Sequence, residues 1–242
     1  FEHMVMATPS LRRNVYAATG STASVLSGRL SFVLGMHGPA AAYDTACSAA
    51  LAAGHGALRS IQLRECADGL LTAVSLTLLP DAGSTFAVAG LTSPHGACHT
   101  FDSRADGYAR GEACTGTVLQ AAGPRPDGPT ARAGSAVRCD GKSASLTAPN
   151  GQAQQALLRA ALADASKTAD AMSSAEAHGT GTGLGDPIET RSLAGAVLSQ
   201  RRGGVALALG SIKANTGHAE GAAGAAGLIK LFAALNHAAM PP

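Results

Sequence analysis

Tryptophan is absent from the 242 residues, and Tyr and Phe together bring the aromatic share to only 3%. A sandwich packed through large rings is disfavoured by that scarcity; the 30 glycines point to small-residue helices and tight turns. Charge is equally sparse at 14%, and 18 basic against 16 acidic residues leave +2, too balanced for a nucleic-acid surface. No apolar run approaches the roughly 20 residues of a bilayer span, so no membrane span is expected. The N-terminus also lacks the pattern of a secretory signal. The five cysteines, Cys47, Cys66, Cys98, Cys114 and Cys139, are odd in number and contain no C-x-x-C. A disulfide framework or zinc ribbon is thereby disfavoured, and a reducing, cytoplasmic compartment is the default. What remains is a chain 46% hydrophobic, which argues against a long disordered tail and supplies a core for one large domain or two small ones.

Apolar patterning predicts strands over residues 39–45, 70–79, 115–122, 134–139, 174–178 and 205–211. Helices are expected over 46–63, 152–165, 186–200 and 220–237, with Pro187 suited to a first turn. Pro80, Asp81 and Gly83 read as turn residues ending the second strand, and 123–130, with three prolines, as an internal loop. Strand and helix alternate through much of the chain, which argues for layered α/β architecture. The G-A-A-G-A-A-G run at 221–227 reads as a buried helix that lets another backbone approach closely.

Three residues stand where chemistry is commonly built. Cys47, in D-T-A-C-S-A-A, sits between a predicted strand and helix, where helix N–H groups favour thiolate. His178 opens the glycine-rich H-G-T-G-T-G-L-G-D-P after another strand, and His218 ends S-I-K-A-N-T-G-H, five residues after Lys213. Taken singly, a cysteine of this kind is more often a buried thiol, and a histidine more often structural or on the surface. Together they are more telling, since strand-to-helix junctions of α/β proteins gather at one edge of a sheet. A phosphate cradle is not supported: the glycine run lacks the P-loop lysine and G-x-G-x-x-G spacing. His95, Cys98 and His99 have the spacing of a one-sided helical set but no evident fourth ligand in a turn-like S-P-H-G context. Asp102, Asp106 and Glu112 lack EF-hand spacing and read as a turn with Arg104 or Arg110 as charge partners.

The stretches D-T-A-C-S-A-A-L-A-A, E-A-H-G-T-G-T-G-L-G-D-P-I-E and S-I-K-A-N-T-G-H resemble the three signatures of β-ketoacyl synthases, in family order. Y-A-A-T-G, S-G-R-L-S-F-V-L-G-M-H-G-P, F-D-S-R-A-D-G-Y-A-R-G-E and L-T-A-P-N-G-Q-A-Q-Q extend the resemblance almost from end to end. It is nearest to ketosynthase domains of modular or type I polyketide synthases, with fatty acid synthase domains next. The family implies an α/β, thiolase-like fold: two βαβαβ halves stacked as an α-β-α-β-α sandwich, usually a homodimer. Residues 1–122 would end the N-terminal half and 123–242 form most of the C-terminal half. By resemblance Cys47 accepts an acyl chain from an acyl carrier protein. His178 and His218 assist decarboxylation of a malonyl-type thioester, Lys213 orders the site, and Glu220 is a supporting acid. No bound cofactor or metal is implied, because substrates arrive on the carrier's phosphopantetheine arm. Cytoplasmic localisation is expected, or an organelle if the source is an alga.

Departures from the family pattern accompany the resemblance. The family's first strands have no counterpart before Phe1, and the chain ends at Met240-Pro241-Pro242, before a G-F-G-G segment that supplies an oxyanion N–H. The expectation is a domain incomplete at both termini, poorly soluble or partly unfolded alone. Cys114 replaces a usual Gly, and Ala49-Ala50 a usual Ser-Ser, without loss of a reacting group. Two alternatives stay open: a chain-transfer or ester-forming relative that does not decarboxylate, and an impaired scaffold that dimerises or docks a carrier protein.

Overall fold

Small side chains and short alternating runs set the architecture. The computed structural model describes residues 15–78, 80–121, 133–203, 206–237 and 239. Among the described residues, helices α1 (Ala17–Ser21) and α2 (Ala23–Leu34) come first; they were not anticipated from the sequence. The next helix, α3 (Ala49–Gln62), buries Ala50, Ala52 and Gly54. It leads to β1 (Asp68–Ser75), α4 (Pro80–Val88) and β2 (Ala113–Gln120). Then follow α5 (Gly151–Asp164), β3 (Ser174–Glu176), α6 (Gly185–Ala196), β4 (Ala208–Gly210), α7 (Lys213–Thr216) and α8 (Ala223–His237).

β1 and β2 pair antiparallel with Leu71 opposite Thr117, and β3 and β4 pair parallel with Ala175 opposite Leu209. Helix α3 packs on β1 and β2, while α8 touches α3, β2 and β3, so the two helices form a layer between the sheets. The period-2 alternation of a strand divides the short β3 between two faces. Ala175 joins the core of Ala169, Leu193, Ala196 and Val197 under α5 and α6, and Glu176 reaches Lys230 of α8. The resulting order is sheet, helices, sheet, helices, in keeping with four of the five layers expected. The small-residue run serves as anticipated: a side chain at Gly224 would meet Leu51 of α3 at 2.6 Å, and one at Gly227 would meet Glu176 at 3.0 Å.

Two expected strands are not strands. Residues 39–43 form no ladder; instead the Tyr43 ring lies against Gly56 of α3, so the segment packs on a helix. Residues 134–139 form no strand; at Ser135, side chains take up both backbone groups. Ser135 N–H donates to Asp164 at 2.8 Å, and its carbonyl accepts from Arg59 at 3.0 Å. Pro80 begins a helix instead of a turn, since proline lacks the N–H that a first helical turn leaves unbonded. β1 ends early because Glu112 accepts from the Thr77 N–H at 2.6 Å. The helix expected over 186–200 tightens into a 3-10 turn at Leu198–Gln200, and the one expected from 220 opens as a 3-10 turn, Glu220–Ala222. The loop at 123–130, residue 205 and the chain ends lie outside the described residues.

Val197 has no accessible surface, whereas Val118 on the outer face of β2 is 63% exposed. Val197→Ala is therefore expected to destabilise by about 2 kcal/mol through lost burial and a residual cavity. Val118→Ala should stay within about 0.5 kcal/mol. Denaturant unfolding of the two variants side by side checks the contrast.

Candidate active site

The chain enters α3 through a strained turn. Ala46 has φ 52, a left-handed conformation uncommon for a residue with a Cβ. Its N–H donates to Asp44 at 3.3 Å, and Ser48 closes the turn by donating its hydroxyl to the Thr45 carbonyl at 2.8 Å. Cys47 is held between these anchors, half-buried, one residue before the Ser48 cap of α3. That cap makes no side-chain hydrogen bond to the helix, and the first N–H of α3, that of Ala49, donates to the Ala46 carbonyl at 3.0 Å.

His178 follows β3 on a loop fixed by two carboxylates. Glu189 of α6 accepts from the backbone N–H groups of His178 and Gly179 at 2.5 and 2.8 Å. Asp186, itself buried, accepts from Gly181, Thr182 and Phe101 at 3.1, 3.3 and 2.8 Å. Glycine is required where the loop runs close to its neighbours. Gly179 has φ 46, and a side chain there would press within 2.7 Å of Ser211 and Thr100.

His218 is gripped from the opposite side. Its N–H donates to the Ala109 carbonyl at 2.7 Å, and its carbonyl accepts from Gly111 at 2.9 Å. Its ring meets Tyr108 edge-on at 4.9 Å and His178 at 5.5 Å. Nδ1 of His218 is buried and has no hydrogen-bond partner among the described residues. Lys213 opens α7 and is only 4% exposed. Glu220 has φ 39 and accepts from Arg110 Nε at 3.0 Å. Because Arg110 also lies over Phe86 at 5.4 Å, this pair ties the turn after His218 to α4.

The fold thus gathers residues far apart in sequence: one ligand atom each of Cys47, His178 and His218 lies within 4.8 Å of the others. These three form the one group of His, Cys, Asp and Glu side chains, among the described residues, close enough to grip an ion. The second cluster read from the sequence does not assemble. The Cys98 thiol turns to Ala109, accepting from its N–H at 3.2 Å, while His95 faces Asp106 at 3.7 Å. Burial also pushes the Cys98 thiol up, the signature of a structural cysteine. Asp102 is paired with Arg104 at 2.9 Å, as the turn reading anticipates.

Burial and the Lys213 cation push the His218 imidazole down to about 3. The same two causes lower His178, less securely than His218, because the His178 residue is exposed. Burial lowers Lys213 as well, opposed by the carboxylates of Glu189 and Glu176, and burial raises Glu189. Near neutral pH both rings are uncharged, so each carries one N–H to give and one nitrogen to accept. Two uncharged imidazoles beside a thiol can stabilise a developing oxyanion without first surrendering a proton.

The chain matches the model of the β-ketoacyl synthase N-terminal domain over residues 2–123 and that of the C-terminal domain over 131–242. The chain belongs to the β-ketoacyl synthase family. It is 44% identical over its full length to one of the phenolphthiocerol/phthiocerol polyketide synthase proteins of Mycobacterium tuberculosis H37Rv, covering 16% of that protein. It is 45% identical over 97% of its length to the spectinabilin polyketide synthase system protein NorB of Streptomyces orinoci, covering 11%. Among solved structures it resembles the oxazolomycin ketosynthase domain OzmH KS7 of Streptomyces albus JA3453, with TM-score 0.86, 32% identity, 90% of this chain and 38% of that one. The module 6 ketosynthase of the bacillaene synthase of Bacillus subtilis 168 gives 0.87, 33%, 93% and 41%. The fold is thus the thiolase-like one, and the ketosynthase likeness is to modular polyketide synthases. The chain spans less than half the length of these solved ketosynthases. Among the described residues no helix is long and apolar enough to cross a membrane.

Within the ketosynthase site, sequence reasoning missed Tyr108, Asp186 and Glu189. The two acids stand inside the quoted G-D-P-I-E stretch, where their spacing of one helical turn was the available signal. Tyr108 likewise stands inside the quoted F-D-S-R-A-D-G-Y-A-R-G-E stretch, where nothing in its spacing singled it out.

A histidine lowered by folding binds protons more tightly when unfolded, so its contribution is full above the unfolded value of about 6.5 and is lost on acidification towards the folded value. The unfolding temperature of this ketosynthase should therefore fall as pH drops from about 6.5 to 4.5, above the range where most carboxylates titrate. His218→Gln should flatten that slope. Thermal unfolding across a buffer series checks it, and an equal slope in both proteins would contradict the neutral-ring assignment.

Proposed function

We propose that this ketosynthase chain extends an acyl group by decarboxylative Claisen condensation, in polyketide or related fatty acid biosynthesis. The observation that carries the proposal is the convergence of Cys47, His178 and His218 within 4.8 Å. In this scheme the Cys47 thiolate attacks an acyl thioester on the phosphopantetheine arm of an acyl carrier protein. The carbon–sulfur bond to pantetheine breaks, the pantetheine sulfur departs as thiolate, and the acyl group rests on Sγ. A malonyl-type thioester then loses its carboxylate as CO₂, and the electrons of that carbon–carbon bond pass into an enolate. N–H groups of His178 and His218 stabilise the enolate oxygen. The enolate carbon attacks the acyl carbonyl on Cys47, the carbon–sulfur bond breaks, and thiolate is restored as the β-ketoacyl product stays on the carrier.

Lys213 has a supporting role, in which its buried cation disfavours a proton on either ring. Glu220 acts through Arg110 on the turn that carries His218. Carrier protein and acyl and malonyl-type thioesters are the proposed partners, with a homodimer of the kind usual in the family. Residues 1–122 and 123–242 are read as parts of the two halves. Retention of every reacting side chain in one place favours this scheme over a scaffold, and the intact histidine pair favours it over a chain-transfer relative.

Cys47→Ala should abolish acyl loading, while replacement of Cys66, Cys98, Cys114 or Cys139 should leave it. His178→Ala and His218→Ala should each lower decarboxylation by about 10²–10³-fold, the usual effect of removing one preorganised donor, yet still self-acylate. Mass spectrometry after incubation with an acyl thioester reads loading, and CO₂ release from a malonyl thioester reads the second step. Persistent acylation of Cys47→Ala, or equal loss of both steps in the histidine variants, contradicts the assignment.

A further inference from the structure

We propose that Glu176 and Lys230 form a buried positioning pair that sets the start of α7, and with it Lys213, against the His178 loop. Glu176 is the last residue of β3, two before His178, and its side chain is 5% exposed. Its Oε1 accepts from the backbone N–H of Ile212 at 2.5 Å, immediately before Lys213. Its Oε2 meets the ammonium of Lys230, also 5% exposed, at 3.1 Å. That oxygen has no aligned hydrogen bond, so the second contact is ionic. Room for the pair comes from small neighbours: a side chain at Gly227 would meet Glu176 at 3.0 Å, and one at Gly210 would approach the Lys230 ammonium at 3.6 Å.

Burying two charges is a poor way to gain stability, since an apolar pair of similar volume often holds a fold equally well. An ion pair kept from water does differ from an apolar pair in one respect that matters here. It presents a fixed carboxylate to a backbone N–H. Glu176 thereby joins the end of β3, the N-terminus of α7 and the central helix α8 at one point. Lys230 holds the carboxylate from behind, and Ile212 is held in front. The parallel pairing of β3 and β4 fixes Gly210, but two residues of loop separate it from Lys213, and the Glu176–Ile212 bond removes that slack. A misplacement of about 1 Å at a reacting centre can lower a rate by about 10²-fold.

The inference rests on the condensing reading above, and its test separates the two. In Glu176→Leu/Lys230→Met both charges are removed together; in Glu176→Gln/Lys230→Met an acceptor for Ile212 is retained. The thermal midpoints of the two double variants should agree within a few degrees, and both should load an acyl group on Cys47. Decarboxylation should fall about 10–100-fold in the Leu/Met variant and recover most of its rate in the Gln/Met variant. Amide hydrogen exchange reads the clamp without reference to turnover: Ile212 should be protected in the parent and the Gln/Met protein and should exchange faster in the Leu/Met protein. Equal Ile212 exchange in both double variants overturns the proposal, as does equal decarboxylation in both. Unfolding of the Leu/Met variant alone also overturns it, because the pair would then be a packing element. Absence of acyl loading in the parent chain counts against the condensing reading and leaves the exchange result to decide the pair.

Discussion

The parallel pairing of β3 with β4 is the constraint on which the site depends. Three residues from each strand meet in register, Ser174 with Ala208 through Glu176 with Gly210, and the pairing continues as Ala177 N–H donates to Gly210 at 2.8 Å. Parallel strands bring like ends together, so the loops leaving both strands emerge on one side. One loop carries His178 and the other leads through Lys213 to His218. Antiparallel pairing would send the two histidine loops to opposite edges. The third member comes from a different part of the chain: Cys47 lies in the turn that leads into α3, and α3 packs against α8 between the sheets. The glycine of α8 beside Leu51 sets how closely those helices approach.

Electrostatics then acts on groups already placed. Lys213 and Lys230 are both nearly inaccessible, as are Asp186 and the side chain of Glu176. Burial disfavours a proton on both imidazoles, and the Lys213 cation, itself with little access to water, adds to the effect, which accounts for the lowering of both histidines. Glu189 and Glu176 limit how far Lys213 itself is driven towards neutrality. The site is therefore a balance of charges surrounding two uncharged donors. Such donors suit an oxygen that becomes negative only during reaction, because they need no reorganisation when that charge appears.

Much of this was legible in the sequence, and the rest fails for identifiable reasons. Helices α3, α5, α6 and α8 were readable from long apolar patterns with few breakers, to within a few residues. The strand expected at 39–45 failed because Pro39 and three alanines look apolar enough for a strand, whereas Tyr43 settles on α3. The strand expected at 134–139 failed because its backbone partners, Arg59 and Asp164, are remote in sequence. Cys47, His178 and His218 were legible as junction residues, yet their meeting is a property of the sheet and of the helix layer. Glu176 lay unremarked inside the quoted E-A-H stretch, since a glutamate ending a strand ordinarily faces solvent. Nothing local discloses a lysine more than fifty positions later on a buried helix face.

The same logic explains how a chain so poor in charge holds its loops. Among the described residues, few acidic side chains form surface ion pairs alone; many accept from backbone N–H groups near the ends of strands or helices. Asp186 joins Phe101 to Gly181 and Thr182, Glu189 holds His178 and Gly179, Glu112 takes Thr77, and Asp164 takes Ser135. A buried N–H left unpaired costs about 1–3 kcal/mol, a penalty that Asp186 removes at Gly181, and each of these carboxylates ties separate segments together. Loops built this way need little apolar mass of their own. Glycines can therefore run through the site at close approach, as at Gly179, without the turn losing its shape. Rigidity is supplied from outside the loop by a carboxylate on a helix.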